Sequence, residues 1–457
     1  MTETGGTGTG VPAGRTLSEF LHSPAVKLFA IGALILVLLI PITMVWVLLG
    51  ERRSRADDVT AEVSQSWGDA QRLAGPVLVV PYRYASEVHE GDQTREVVNR
   101  AYAVFLPDAL EIAGAAKSEA LRRSIFTVPV YRADLTLKGR FGPADPADLL
   151  PPRAEPLWSE AWLAVGVSDV RAFKENVLLA MPGREDKLPF QPTMGFSSDT
   201  LSGIHVGLPQ GAAQAGFPFE IHFVLNGSSR LTILPFGGET KLSLSSDWPH
   251  PSFTGPILPD ERHITAKGFE ARWTVPNLAR SIPQRFTLTD QGFSGFERQA
   301  FGVEFFQSVD FYQLVARSLK YAILFIGVVF AAAFLLELLS ERRLHLVQYL
   351  FIGFAQAVFY LLLLSLSEHL GFEAAYCAAA AATILLVAVY ASLILASLLR
   401  GFVMFSVLLL VYGLLYLLLR LEDYALLVGS LAVFAFLAAT MFLTLNVDWS
   451  SGRRRGT

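Results

Sequence analysis

Cysteine and charged residues are scarce in this sequence. A single cysteine occurs among 457 residues, so the chain forms no internal disulfide and has no paired thiols for a zinc site. Charged residues make up 17%, compared with about 25% in ordinary globular chains, while hydrophobic residues reach 52%. The net charge of -4 supplies no basic field, so nucleic acid is not expected as a partner. This composition indicates a membrane protein that also contains polar segments.

The usual catalytic and metal-binding patterns are also missing. The histidines show no H-x-H or H-E-x-x-H spacing, and no G-x-S-x-G elbow occurs. Carboxylates are numerous but scattered, so their spacing selects no acid–base pair. The early GGTGTGVPAG segment has no strand before it, as a dinucleotide loop requires, and is typical of a disordered tail. We therefore predict no catalytic residue, no cofactor and no metal ligand, and we interpret the chain as non-enzymatic.

Hydrophobic runs of membrane-spanning length occur at both ends of the chain. The first, Lys27 to Leu49, is long enough for a helix to cross a hydrocarbon core of roughly 30 Å. It ends in Leu-Leu-Gly-Glu-Arg-Arg and not at a small-residue cleavage site, so we predict an uncleaved anchor, kinked at Pro41. Further runs follow a long polar stretch, at 319–339, 346–366, 374–398, 402–419 and 424–445.

Basic residues predict the orientation of these spans, because Lys and Arg are retained in the cytoplasm. The short downstream loops and the C-terminal tail contain the deciding residues: Arg342, Arg343, Arg400 and 453–455. They share one side only if both termini are cytoplasmic and the long polar segment lies outside. A second group opposes this assignment: Arg52, Arg53, Arg55, Arg317 and Lys320. We keep the assignment because short loops weigh most in the rule.

The polar segment has the pattern of β-structure. In FEIHFVLNG, Phe219, Ile221, Phe223 and Leu225 recur at a period of two, which is typical of a half-buried strand, and Asn226-Gly227 predicts a turn. Similar short runs occur throughout the segment, so we expect a mainly antiparallel, mainly-β extramembrane domain of one body or two lobes.

The fold class is therefore a mixed membrane protein with six transmembrane helices, one N-terminal and five C-terminal, and a large mainly-β domain. The predicted divisions are a disordered cytoplasmic tail (1–22), an anchor helix (23–50), a polar helical extension (51–67), a β-rich periplasmic domain (68–316), a five-helix bundle (317–449) and a basic cytoplasmic tail (450–457).

Polar residues form a stripe in the third span. Tyr349, Gln356, Tyr360 and Ser367 recur at helical spacing on one face, and Glu368 with His369 caps its outer end. Polar groups in a membrane raise a functional question, so one interpretation is a proton or solute path. The other is hydrogen bonding between helices, which we favour because no charged residue lies in the middle of the five spans.

Several long motifs in register resemble the CreD family of inner-membrane proteins. They are SDWPHPSF (246–253) with TGPILPDERHITAKGFEARW after it, RLAGPVLVVPY (72–82), LLIPI with ERRSRADDV (38–59), FYQLVARSLKYAILFI (311–326), ERRLHLVQYLFIGFAQAVFYLLLLSLSEHLGF (341–372) and NVDW (446–449). The resemblance covers nearly the whole chain, from about residue 21 to residue 449.

This resemblance implies a Gram-negative inner-membrane protein that supports cell envelope integrity, with links to colicin tolerance, stress response and a two-component system. The family supplies no catalytic residues to carry over, so the signature residues have no assigned role: Asp247, Trp248, Pro249, His250, Pro251 and Phe253. We interpret Trp-Pro-His-Pro as a rigid structural corner, because each proline fixes its own φ.

Two functions remain after this survey. We prefer a periplasmic domain that binds an envelope component or partner protein, in addition to the membrane lipids around the spans. The alternative is a transporter or lipid-handling protein that uses the stripe from Tyr349 to Ser367, and an enzyme acting on envelope polymers is a weaker third possibility.

Overall fold

Two units make up the chain. The computed structural model describes residues 24–90, 93–146, 148–196, 201–288, 293–305, 311–338, 340, 342–421 and 424–444. The membrane unit consists of Met1–Arg55 and Val309–Thr457, and the β-rich unit of Ala56–Ser308. The predicted tails, 1–22 and 450–457, lie outside the described residues.

Long apolar helices build the membrane unit. In chain order, the α-helices of the described ranges are α1 (Pro24–Trp67), α2 (Ala212–Ala215), α3 (Phe311–Lys320), α4 (Ala322–Leu338), α5 (Leu346–Leu370), α6 (Phe372–Ile394), α7 (Leu398–Arg420) and α8 (Ala425–Thr444). Five of them are long and apolar enough to cross a membrane, and the count becomes six if α3 and α4, bent by 49°, form one span. This arrangement confirms one apolar helix at the N-terminus and the others at the C-terminus. Helix α1 continues through Pro41 and does not end there.

Helices α1 and α5 run side by side in the same direction. Lys27 lies over the ring of Tyr349 near the start of both helices, and Arg52 approaches Glu368 near the end of α5. The bent pair runs the opposite way, since Tyr312 of α3 contacts Glu368 and Glu337 of α4 contacts Tyr349. Together α3 and α4 therefore cover the same depth as α5, which favours six spans.

The β-rich unit contains two large sheets. Its strands are β1 (Gln71–Glu90), β2 (Gln93–Phe105), β3 (Ala109–Arg123), β4 (Phe126–Phe141), β5 (Glu155–Pro156), β6 (Trp162–Val167), β7 (Leu178–Ala180), β8 (Leu188–Pro189), β9 (Gln191–Pro192), β10 (Ser202–Gly207), β11 (Phe217–Ser228), β12 (Arg230–Ile233), β13 (Glu239–Ser246), β14 (Pro251–Thr254), β15 (Glu261–Thr265), β16 (Gly268–Val275), β17 (Arg285–Thr287) and β18 (Phe301–Phe305). Among the described residues ten strands form one sheet, and the other has the order β15-β16-β13-β3-β4-β11-β7-β8. Most pairs are antiparallel, but β1 pairs with β12, and β3 with β13, in parallel.

The predicted strand around residue 221 is confirmed, but the prediction of a turn at Asn226-Gly227 is wrong. Phe219, Ile221, Phe223 and Leu225 are all buried, as the period of two requires. Strand β11 nevertheless continues through Asn226 and Gly227 to Ser228, and the chain turns at Ser229, whose φ is 54°. The ring of Tyr131 occupies the space where a Gly227 side chain would lie, so this glycine permits close packing within the strand.

Candidate functional site

A shallow trough lies on the open face of the eight-stranded sheet. Its floor consists of small side chains on two neighbouring strands, and the register places Ala113 beside Ser243 and Ala115 beside Ser245. Successive side chains of a strand point to opposite faces, so these four share one face, while Ile112 and Leu242 point into the core. We call this feature the sheet trough.

Charged and polar side chains border the sheet trough on both sides. On one side, Thr136 and Asp134 of β4 lie opposite the two alanines of the floor. On the other side, Arg272 and Glu270 of β16 lie opposite the two serines. Adjoining cavities of about 420 and 550 Å³ share Ala115, Ser245 and Glu270. This size is within the usual range of ligand sites, roughly 300–1,000 Å³.

One end of the sheet trough gathers groups of both charge signs. Lys117, Asp247, His263, Lys267 and Glu270 line the larger cavity. Asp247 is fixed there because its Oδ1 accepts a hydrogen bond from the backbone N–H of Ser118 at 2.7 Å. Within the described residues no group of three His, Cys, Asp or Glu side chains is placed to hold a metal ion. The arrangement is suited to binding a ligand that has both positive and negative groups.

The remaining signature residues lie where the chain changes sheets. Strand β13 belongs to the eight-stranded sheet and β14 to the other, and residues 247–250 connect them. The indole N–H of Trp248 donates to the carbonyl of His250 at 3.1 Å, which closes the bend. Phe253 then packs edge-on against Phe269 and Trp273. Asp247 is thus the signature residue that lines the sheet trough.

The polar stripe of α5 faces the interior of the membrane unit. Tyr349, Gln356, Tyr360 and Ser367 are each no more than 2% exposed. The Tyr349 hydroxyl donates to Glu337 at 2.8 Å, whereas Ser367 bonds the Leu363 carbonyl of its own helix. The amide nitrogen of Gln356 is buried without a hydrogen-bond partner among the described residues. Glu368 receives the Tyr312 hydroxyl at 3.3 Å and lies 3.8 Å from Arg52, while His369 is exposed.

Sequence patterns missed two features of this arrangement. Lys27 forms an ion pair with Glu337 and also reaches the carbonyl of Leu344. The partners are 310 residues apart, and no local pattern connects them. The trough floor had a partial signal, since KLSLSS places serines at a period of two and AGAA is a run of small residues. The sequence alone does not show that these two segments form one floor, because that depends on the pairing of β3 with β13.

Comparisons with known proteins cover nearly the whole chain. A family described as "Inner membrane protein CreD" matches residues 23–450. A protein of Escherichia coli (strain K12) with the same description is 33% identical over 425 residues, which are 93% of this chain and 93% of that protein. The matched region includes both the sheet trough and the buried stripe of α5. This chain therefore belongs to the CreD family of inner membrane proteins.

Proposed function

We propose that this protein supports envelope integrity by presenting its β-rich unit in the periplasm, where the sheet trough binds a segment of an envelope protein. The observation that motivates the proposal is the trough itself, with a floor of small residues and charged side chains at its borders. The proposed role includes no catalytic step.

Contacts inside the membrane unit support the proposed orientation. Arg400 donates to the Ser340 hydroxyl at 2.8 Å, so the loops with Arg342 and Arg400 lie at the same end of the bundle as Lys27. At the opposite end the basic residues Arg420 and Arg52 have acidic partners, Glu373 and Glu368. With basic loops retained in the cytoplasm, the proposed orientation has the start of α1 inside and Trp67, its last residue, outside.

The lining of the sheet trough favours a polypeptide over other ligands. Sugars and bases stack best on exposed Trp, Tyr or Phe rings. Of these the described trough residues offer only Phe269, which is 3% exposed, and the one other ring is the imidazole of His263 on β15. Strand β15 borders the trough and is the outermost strand of its sheet. An extended peptide can pair with such an edge while its charged side chains enter the trough beside Glu270 and Lys267.

Site-specific crosslinking tests both the orientation and the ligand. In a Cys377→Ser background, the variant Ser243→Cys places a thiol in the trough, and Ser281→Cys places one on an exposed loop as a control. We expect a membrane-impermeant photo-crosslinker to label both thiols in cells with a permeabilised outer membrane. Only Ser243→Cys should then yield a discrete protein adduct.

Three results would contradict the proposal. Labelling only after the inner membrane is lysed would reverse the orientation. Identical adducts from both positions would show that the trough is not selective. A glycan adduct that survives protease treatment would replace the proposed protein partner with a polysaccharide.

The buried amide of Gln356 favours a second candidate, transport along the α5 stripe. An unpaired buried amide is costly, and a passing solute or proton carrier would satisfy it. If the stripe is a transport path, Gln356→Leu should no longer support envelope integrity, although the protein level stays normal. If the binding proposal is right, Gln356→Leu should still support envelope integrity. Its free energy of unfolding should rise by about 1 kcal/mol, because the unpaired amide is removed. Complementation and thermal denaturation of the purified protein distinguish the two, with the outward-facing Ser365→Leu as the control.

A further inference from the structure

An apolar groove of about 810 Å³ runs between α1 and α5, away from the buried stripe. Its walls include Pro41, Met44 and Val47 of α1 and Phe354, Val358 and Leu361 of α5. Met44 is 68% exposed and Val47 54% exposed, so the groove opens outward from the bundle. Since both helices span the membrane, the medium at this opening is lipid hydrocarbon.

The two helices are held close at one level, and the groove occupies the level beyond it. At Gly353 a side chain would have no room, because Leu38 of α1 fills that space. The groove begins at the next residues, Leu39 and Phe354, and ends at Glu51. Beyond that end, Arg52 lies 3.8 Å from Glu368 of α5. Contacts on both sides of the groove thus fix its two ends.

The groove has the length of one leaflet. Leu39 and Glu51 are twelve residues apart on α1, which corresponds to about 18 Å along a helix. One leaflet contributes half of a hydrocarbon core of roughly 30 Å. The groove therefore extends from near the middle of the bilayer to its surface, as one lipid chain does.

Charge at the surface end indicates the headgroup. Glu51 is the one charged residue of the groove lining, and no ion pair is found for it among the described residues. Arg55 follows one helical turn later, where it can meet a phosphate. We propose that the groove binds one acyl chain of a phospholipid whose headgroup bears a protonated amine, with that amine on Glu51.

Retention of defined lipids by the purified full-length protein tests this proposal. Native mass spectrometry compares phosphatidylethanolamine with phosphatidylglycerol, which has no amine, and with phosphatidylcholine, whose ammonium has no N–H. We expect the ethanolamine lipid to be retained about three- to fivefold more strongly, the preference that one exposed ion pair supplies. Glu51→Gln should reduce this preference to near unity and leave chain binding in place.

Filling the groove supplies the second arm of the test. Val47→Trp should reduce retention of every lipid, whereas Val389→Trp, on α6 at a nearly equal exposure of 55%, should not. Equal effects of both variants, or no headgroup preference in the unaltered protein, would overturn the proposal in favour of non-specific lipid. A dimer that Val47→Trp dissociates without changing lipid retention would overturn it in favour of a second copy of the chain.

Discussion

Replacing Glu337 with alanine is expected to lower the free energy of unfolding by about 3–5 kcal/mol, the usual cost of removing one partner from a buried ion pair. The Glu337 side chain is 8% exposed, and it binds both the Lys27 ammonium and the Tyr349 hydroxyl. Without it, Lys27 retains only the Leu344 carbonyl as a hydrogen-bond acceptor among the described residues. A charge in this environment is costly when it is unpaired.

The matched control is Glu373→Ala. Glu373 also forms an ion pair, with Arg420, but its side chain is 67% exposed. A pair of that kind contributes at most about 1 kcal/mol. Thermal denaturation in detergent compares the two variants, and a double-mutant cycle with Lys27→Met measures the coupling. The double variant Lys27→Met, Glu337→Met should recover much of the loss, because no charge is left unpaired. Equal losses in Glu337→Ala and Glu373→Ala would show that the buried pair has no special role.

Replacing Trp273 with alanine is expected to destabilise the β-rich unit by about 3–5 kcal/mol, since it empties a large site in the core. Trp273 is 1% exposed, and its ring packs against those of Phe253 and Phe301, with centroids 5.7 and 6.0 Å away. These partners belong to β14 and β18 of the other sheet. The loss should therefore loosen the packing of one sheet on the other.

Trp273→Phe separates packing from hydrogen bonding. The indole N–H of Trp273 is buried without a partner among the described residues, so phenylalanine removes an unsatisfied donor while keeping a ring. We expect this change to cost about 1–2 kcal/mol, well below the loss for alanine, because phenylalanine leaves a smaller cavity. Limited proteolysis of the full-length protein should reveal early cleavage within 68–305 for Trp273→Ala alone. Early cleavage in both variants would show that the indole itself is required.

Local patterns predicted the elements of this fold better than their partners. Phe219 to Leu225 revealed a strand because alternation depends only on neighbours in sequence. The Asn226-Gly227 pair was misread as a turn because its glycine meets Tyr131, a residue about 95 positions earlier. The parallel pairing of β3 with β13 was not predicted either, since a crossover this long leaves no local signal.

The candidate sites follow the same division. The stripe of α5 could be found from spacing alone, and its burial agrees with the expectation that polar groups in a membrane face the bundle. The sheet trough could not, because its floor joins residues 113–115 to residues 243–245 through pairing. Asp247 was singled out by resemblance, and its position at the trough became apparent only from its bond to Ser118.

The ion pair between Lys27 and Glu337 also constrains biosynthesis. Because 310 residues separate the partners, ribosomes that add about 5–20 residues per second need roughly 15–60 s between them. The β-rich unit is synthesised within that interval. The first helix therefore has to be stabilised by lipid, the insertion machinery or a chaperone until its partner helices emerge.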